Sequence, residues 1–195
     1  MQSFPFYLQL GFEHISNLAG FDHILFLVAL CAVYRISQWR SLIVLVTAFT
    51  IGHSVTLALS SFGTVIIPSS IIEFLIPTTI LLTGIHNVVS RQWTENAPRM
   101  GQNYAMALFF GFIHGMGFSN YFRALLMSDE SIALPLLAFN IGIELGQLLV
   151  VGVIVGLSFV FLNLIKVPHR DWNVFISGAA SGIAIMLMSE NQFWA

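Results

Sequence analysis

The run IALPLLAFNIGIELGQLLVVGVIVGLSFVFLNLI, Ile132–Ile165, carries a single ionisable residue, Glu144. A helix needs about 20 predominantly apolar residues to cross ~30 Å of hydrocarbon. This run is longer, so it reads as a membrane helix that tilts strongly or extends beyond the bilayer. Five more runs qualify or nearly so, at about 14–34, 41–62, 69–90, 103–122 and 172–189. Their apolar residues are continuous rather than alternating, which excludes a membrane β-barrel. The connections are short, so neighbouring helices are expected to pack antiparallel. The predicted fold is an all-α integral membrane protein. A single domain, residues 1–195, forms one compact bundle of about six transmembrane helices.

Composition agrees. The chain is 57% hydrophobic and 8% charged, whereas soluble domains are about 25% charged. A formal net charge of −2 gives no basis for nucleic-acid binding, and the expected partner is the lipid bilayer. Cys31 is the single cysteine and lies in an apolar run, so it reads as packing rather than as a thiolate ligand. Neither a cleaved signal peptide nor a lipidation signal is read from the termini.

Basic residues predict orientation. Arg35 and Arg40 follow the first run, Arg91 and Arg99 the third, and Lys166 and Arg170 the fifth. Only Arg123 falls in a loop of the other parity. Cytoplasmic loops collect Lys and Arg, so both termini are expected to face outward. Trp39, Trp93 and Trp172 flank the same basic loops, as interfacial anchors do. Glycines four apart, Gly111/Gly115, Gly142/Gly146, Gly152/Gly156 and Gly178/Gly182, mark expected helix contacts. Pro77 lies inside the third run, where it frees a backbone carbonyl for a ligand or a hydroxyl.

Against this background Asp22, His23, His53, Glu73, His114 and Glu144 stand out. An ionisable group in hydrocarbon is costly, roughly 2.5–3.5 kcal/mol for a mid-helix Asp, and usually faces a polar interior. At about 1.5 Å per residue, five of the runs place these groups roughly 6 to 18 Å from their outer ends. Thr50, His53 and Ser54 share one helix face, and Asn140, Glu144 and Gln147 form a second stripe. His86 falls at the opposite end, and His14 and His169 fall at or beyond the interfaces. Imidazoles and carboxylates together are what a divalent transition-metal site uses. The expected ligands are His23, His53, His114, Asp22 and Glu144. Glu73, Ser54, Asn140, Gln147, His86 and His14 are expected around the site or along a pathway.

Several of these positions form ordered motifs. They are LGFEHISNLAGFDHILFLVAL (Leu10–Leu30), FTIGHSVTLAL (Phe49–Leu59), Glu73, FGFIHGMGFS (Phe110–Ser119) and FNIGIELGQ (Phe139–Gln147). Together they resemble the HupE/UreJ family of bacterial membrane proteins over about four-fifths of the chain. The resemblance implies a small multi-pass permease of the bacterial inner membrane, linked to nickel or similar divalent cations. Asp22 and His23 match the family's Asp-His pair, and His53, His114 and Glu144 match its other polar positions. The family's first His usually sits five residues before that pair. Here seven residues separate His14 from Asp22, so His14 is expected outside the ligand set.

Three functions fit these residues. The first is a metal permease, with Ni²⁺, Co²⁺ and Zn²⁺ not distinguished by residue type. No nucleotide-binding motif is present, so ATP hydrolysis by this chain is not expected. The second is an intramembrane metal-dependent hydrolase built on the same cluster. The third is a structural subunit of a larger membrane complex. Homo-oligomers or other membrane subunits are possible partners in each.

Overall fold

The computed structural model describes residues 3–65, 67–90, 100–125 and 132–191, which form helices and turns without a strand. In chain order the α-helices are α1 (Phe4–Ser16), α2 (Asp22–Cys31), α3 (Trp39–Ser61), α4 (Ser69–Val89), α5 (Met100–Gly117), α6 (Ser119–Leu125), α7 (Ala133–Phe159) and α8 (His169–Glu190). Among the described residues, four helical segments are long and apolar enough to cross a membrane: Ile36–Ser61, Ser69–Val89, Ala133–Leu164 and His169–Glu190. Arg91, Trp93 and Arg99 lie outside the described residues.

Three of the predicted runs differ from a single uninterrupted α-helix. The run at 14–34 is two helices joined by a 3₁₀ turn, Leu18–Gly20. Asn17 has extended backbone, φ −72° and ψ 121°, and cannot continue α1. The Ser16 hydroxyl turns back onto the Phe12 carbonyl at 2.8 Å. Asp22 then opens α2, where a carboxylate complements the helix dipole. The run at 103–122 breaks at Phe118, between α5 and α6. The run at 132–165 finishes in a π-helical turn, Val160–Leu164, beyond the end of α7.

Pro77 stays inside α4. Around it the Thr78 hydroxyl donates to the Phe74 carbonyl at 2.8 Å, and the Thr79 hydroxyl to the Ile76 carbonyl at 2.7 Å. Hydroxyls take this role where proline disturbs the backbone ladder in an apolar setting.

Helices pack most extensively in three pairs, α1 with α7, α3 with α5, and α4 with α8. Glycine sets the closeness of each. A methyl group on Gly52 would strike the Leu108 carbonyl, and one on Gly111 the Phe49 carbonyl, so α3 and α5 clamp each other reciprocally. Gly11 and Gly142 do the same for α1 and α7, against the Phe139 and Leu8 carbonyls. Gly84 lies against Ser177 and Ser181 of α8. Such contacts replace the hydrophobic effect, which gives little drive between helices in lipid. The spacings Gly111/Gly115 and Gly142/Gly146 thus sit at helix contacts. Gly152, Gly156, Gly178 and Gly182 face open space.

The core between the pairs is aromatic and aliphatic. Phe26 stacks on Phe49 with ring centroids 5.0 Å apart, and Phe118 on Phe139 at 4.8 Å. Toward the Arg35 end of the bundle, two buried amides bond across helices. Asn87 donates to the Ala29 carbonyl at 2.7 Å, and Asn103 to the Tyr34 hydroxyl at 2.7 Å.

Replacing Gly111 with leucine is expected to force α3 and α5 apart, at a cost of at least about 1–3 kcal/mol. Gly152→Leu, in open space, is expected to leave stability unchanged. Thermal unfolding of both variants in the same detergent checks the contrast. Equal melting temperatures would remove the close α3–α5 contact as a determinant of the fold.

Candidate metal centre

The glycine-clamped pairs bring four imidazoles together from four helices. His14 comes from the last turn of α1, His23 from the first turn of α2, His53 from the middle of α3 and His114 from the last turns of α5. The His14 ring centroid lies 4.7 Å from that of His23 and 6.0 Å from that of His53. His23 lies 5.0 Å from His114. His14, His23 and His53 each offer a nitrogen, all within 4.8 Å of one another, close enough to share one ion. His14 was expected at the periphery. The break at Asn17–Gly20 corrects this, because it offsets α2 from the line of α1 and sets the two rings side by side.

Hydrogen bonds fix which nitrogen is free. Nδ1 of His23 lies 3.0 Å from Oδ1 of Asp22. A carboxylate only accepts, so Nδ1 carries the proton and the lone pair is on Nε2. Nε2 is buried and has no partner. Nε2 of His114 lies 2.9 Å from the Thr79 hydroxyl. That hydroxyl already donates to Ile76, so it accepts from Nε2–H and leaves the lone pair on Nδ1. Nδ1 is likewise buried and unpartnered. Both nitrogens of His53 and Nε2 of His14 are also buried and unpartnered. His53 is fully buried.

An unsatisfied buried polar atom costs about 1–3 kcal/mol. Several in one place are a strong sign of a missing electrophile. Oriented, neutral imidazoles with a carboxylate or hydroxyl behind them are the usual form of transition-metal ligands. The donor set therefore fits a divalent ion of the Ni, Co or Zn type.

One side of the cluster is open. A cavity of about 500 Å³ reaches His14, His23 and His114, and Glu13, Asp22, Glu73 and Tyr121 line it as well. Carboxylates at such a mouth raise the local concentration of cations. The opposite side is closed by aromatic rings. Phe26 lies 5.4 Å and Phe49 5.1 Å from His114, centroid to centroid.

The second polar stripe takes another course. Glu144 accepts a hydrogen bond from Thr47 at 2.7 Å, and Gln147 one from Thr50 at 2.6 Å. These pairs link α3 to α7, one to two turns from His53. Oε2 of Glu144 and Oδ1 of Asn140 are buried without partners. Ser54 donates to the Thr50 carbonyl at 2.6 Å. His86 lines a small space with Asn87 and Asn103, toward the Arg35 end. Glu144 and His86 are thus outside the group of three histidines, and Glu73 is at its mouth.

Glu13, Asn17 and Thr79 belong to the site without having been predicted. Glu13 and Asn17 adjoin His14 and Ser16 in the motif already noted. Thr79 follows Pro77 by two residues. The signal for it was the expectation that a hydroxyl gathers near that proline.

No curated protein and no solved structure matches the chain. The family model described as HupE / UreJ protein matches residues 1–193, which is nearly the whole chain. The chain belongs to the HupE/UreJ family.

Proposed function

We propose that the protein is a divalent transition-metal permease of the bacterial inner membrane, with the ion as its cargo. The observation that carries this reading is the convergence of unpartnered imidazole nitrogens behind an acid-lined mouth. The family's link to nickel and cobalt uptake supports it. In this reading Glu73, Glu13 and Asp22 gather the hydrated cation. His14, His23 and His53 replace part of its water shell, with His114 beside them. Asp22 and Thr79 hold His23 and His114 in the ligating tautomer.

The onward route follows the α3–α7 seam. Thr50 and Gln147, then Thr47 and Glu144, supply the polar groups beyond His53. The free oxygen of Glu144 offsets the charge of an ion leaving the imidazoles, and His86 is a later stop. The topology that fits this use has six membrane-crossing runs, with both termini and the acidic mouth outward. Binding must be firm enough to strip water and weak enough to release.

One observation favours a second reading. A cavity reaches the imidazoles directly, and three imidazoles with an open fourth position also suit a hydrolytic zinc site. The two readings differ in ion retention and in flux.

Elemental analysis of the detergent-purified protein, followed by titration with Ni²⁺, Co²⁺ and Zn²⁺, tests the site. Saturable binding of about one ion per chain is expected. His14→Ala, His23→Ala or His53→Ala should each weaken it at least about tenfold, and Asp22→Asn by about 10–100-fold through loss of the orienting carboxylate. Unchanged affinity in any single His variant removes that residue from the ligand set.

Flux is the second test. In proteoliposomes, Glu144→Gln is expected to leave equilibrium binding intact and slow metal uptake at least about tenfold, corresponding to about 1.4 kcal/mol on the barrier. Normal uptake by this variant would rule out the α3–α7 route. A tightly retained ion with no uptake by the wild-type protein would transfer the assignment to the hydrolytic reading.

A further inference from the structure

A second cavity lies at the other end of the bundle and has the opposite chemistry. It measures about 400 Å³ and sits between the turn joining α2 to α3 and the turn joining α7 to α8. Its polar lining is Arg35, Ser37, Asn163, His169 and Ser158, with no carboxylate among them. Phe159, Leu162 and Val167 form an apolar wall. Asp171, in the first turn of α8, does not line it. Lys166 and Arg170 flank it in the sequence. The charged side chain that lines this space, Arg35, is basic.

The backbone is shaped around the space. The chain leaves α7 through the π-helical turn Val160–Leu164. Ile165 N–H bonds to the Val160 carbonyl at 3.0 Å, and Val167 N–H to the Phe161 carbonyl at 2.9 Å. Lys166 adopts φ +64°, the left-handed region that side chains other than glycine seldom occupy. Wide turns and left-handed non-glycine residues cost energy and gather at functional sites. Both ring nitrogens of His169 are buried without a hydrogen-bond partner. The Ala32 carbonyl lies near the ring but outside hydrogen-bond geometry. Arg35 is exposed, and its backbone N–H is held by the Gln38 side chain at 2.9 Å.

We propose that this cavity is a phosphate-binding site, formed by the Arg35 guanidinium, the His169 ring and the Ser37 and Asn163 side chains. Arginine and imidazole N–H groups are donors, and a phosphate offers only acceptor oxygens. The volume holds roughly a dozen waters, ample for a phosphate with a glycerol unit. The apolar wall suits the start of an acyl chain. Trp172 stacks on Phe161 beside it, with centroids 5.1 Å apart, as an interfacial aromatic does. Basic pockets between membrane helices on the cytoplasmic side take anionic headgroups. The shared chemistry is a phosphate ester or free phosphate, and the source is either an anionic phospholipid or the solution. This site is independent of the histidine cluster and of the permease reading.

The test uses the full-length protein, with thermal stability as the readout. Wild type is reconstituted in nanodiscs of phosphatidylcholine, with and without phosphatidylglycerol, and separately titrated in detergent with inorganic phosphate. Stabilisation by phosphatidylglycerol, with about one phospholipid per chain retained through purification, identifies a lipid headgroup. Stabilisation by inorganic phosphate alone identifies a free anion. In either case Arg35→Gln combined with His169→Asn should weaken the effect at least about tenfold, in keeping with loss of charge-assisted bonds. Metal titration of the same variant reports that it is folded. If the double variant does not fold, Arg35→Lys replaces it and should weaken phosphate binding several-fold, since a point charge replaces the planar fork. No stabilisation of wild type by either ligand, or equal stabilisation of folded variants, overturns the proposal.

Discussion

Backbone-to-backbone contact between helices is the constraint on which the histidine site depends. His53 and His114 face each other's neighbourhood because Gly52, Gly111 and Gly115 let α3 and α5 touch at their carbonyls. Gly115 lies against the carbonyl of His53 itself. His14 reaches the same point because Gly11 and Gly142 let α1 lie directly on α7. Ordinary helix pairs stand about 8–10 Å apart. An extra ångström or two across either pair would exceed the tolerance of a shared ion, since metal–nitrogen bonds are only about 2.0–2.1 Å long for zinc. Small residues thus do two things here: they supply the packing that lipid does not drive, and they set the ligand distances.

Much of this was legible in the sequence. Continuous apolar runs gave the helices, and the polar exceptions within them gave His23, His53, His114 and Asp22. Spacing of four gave the contacts at Gly111/Gly115 and Gly142/Gly146. What spacing does not reveal is where the chain steps aside at a break. His14 precedes Asp22 by more than two helical turns, so a single straight helix would place the two about 12 Å apart along its axis. Only the break at Asn17–Gly20, which lets α2 step aside from the line of α1, makes them neighbours. Partner choice was equally hidden. Glu144 is conspicuous in its run, but its hydrogen bond to Thr47 depends on how α7 rotates against α3. Open space around Gly152, Gly156, Gly178 and Gly182 marks the same limit from the other side: a spacing identifies a possible seam, not an occupied one.

The energetics of the cluster explain why it is built from imidazole. A buried carboxylate in the same place would carry a charge that the surrounding Phe26, Phe49, Phe118 and Phe139 cannot solvate. Neutral imidazole avoids that penalty and costs only an unmade hydrogen bond while empty. The carboxylates are instead set at the mouth, where Glu73 is exposed and Asp22 is part-buried. Asp22 is the link between the two zones. Its Oδ1 receives both the backbone N–H and the ring N–H of His23, at 2.9 and 3.0 Å. One residue therefore adds negative potential to the mouth and sets the tautomer of a ligand inside it.

The two ends of α2 carry this division of charge across the bundle. Asp22 opens the helix beside the acid-lined cavity, and Arg35 follows its far end beside the donor-lined one. A divalent cation is attracted at the first and repelled at the second. In the permease reading, passage toward the Arg35 end needs either a counter-charge along the route or an anion that masks the guanidinium. Glu144, buried between α3 and α7 with one oxygen unpaired, has the position for the first. A phosphate held by Arg35 and His169 would do the second, because it converts a repelling rim into a neutral or negative one. In the permease reading, the field that draws the ion in and the groups that let it leave are thus set by different residues.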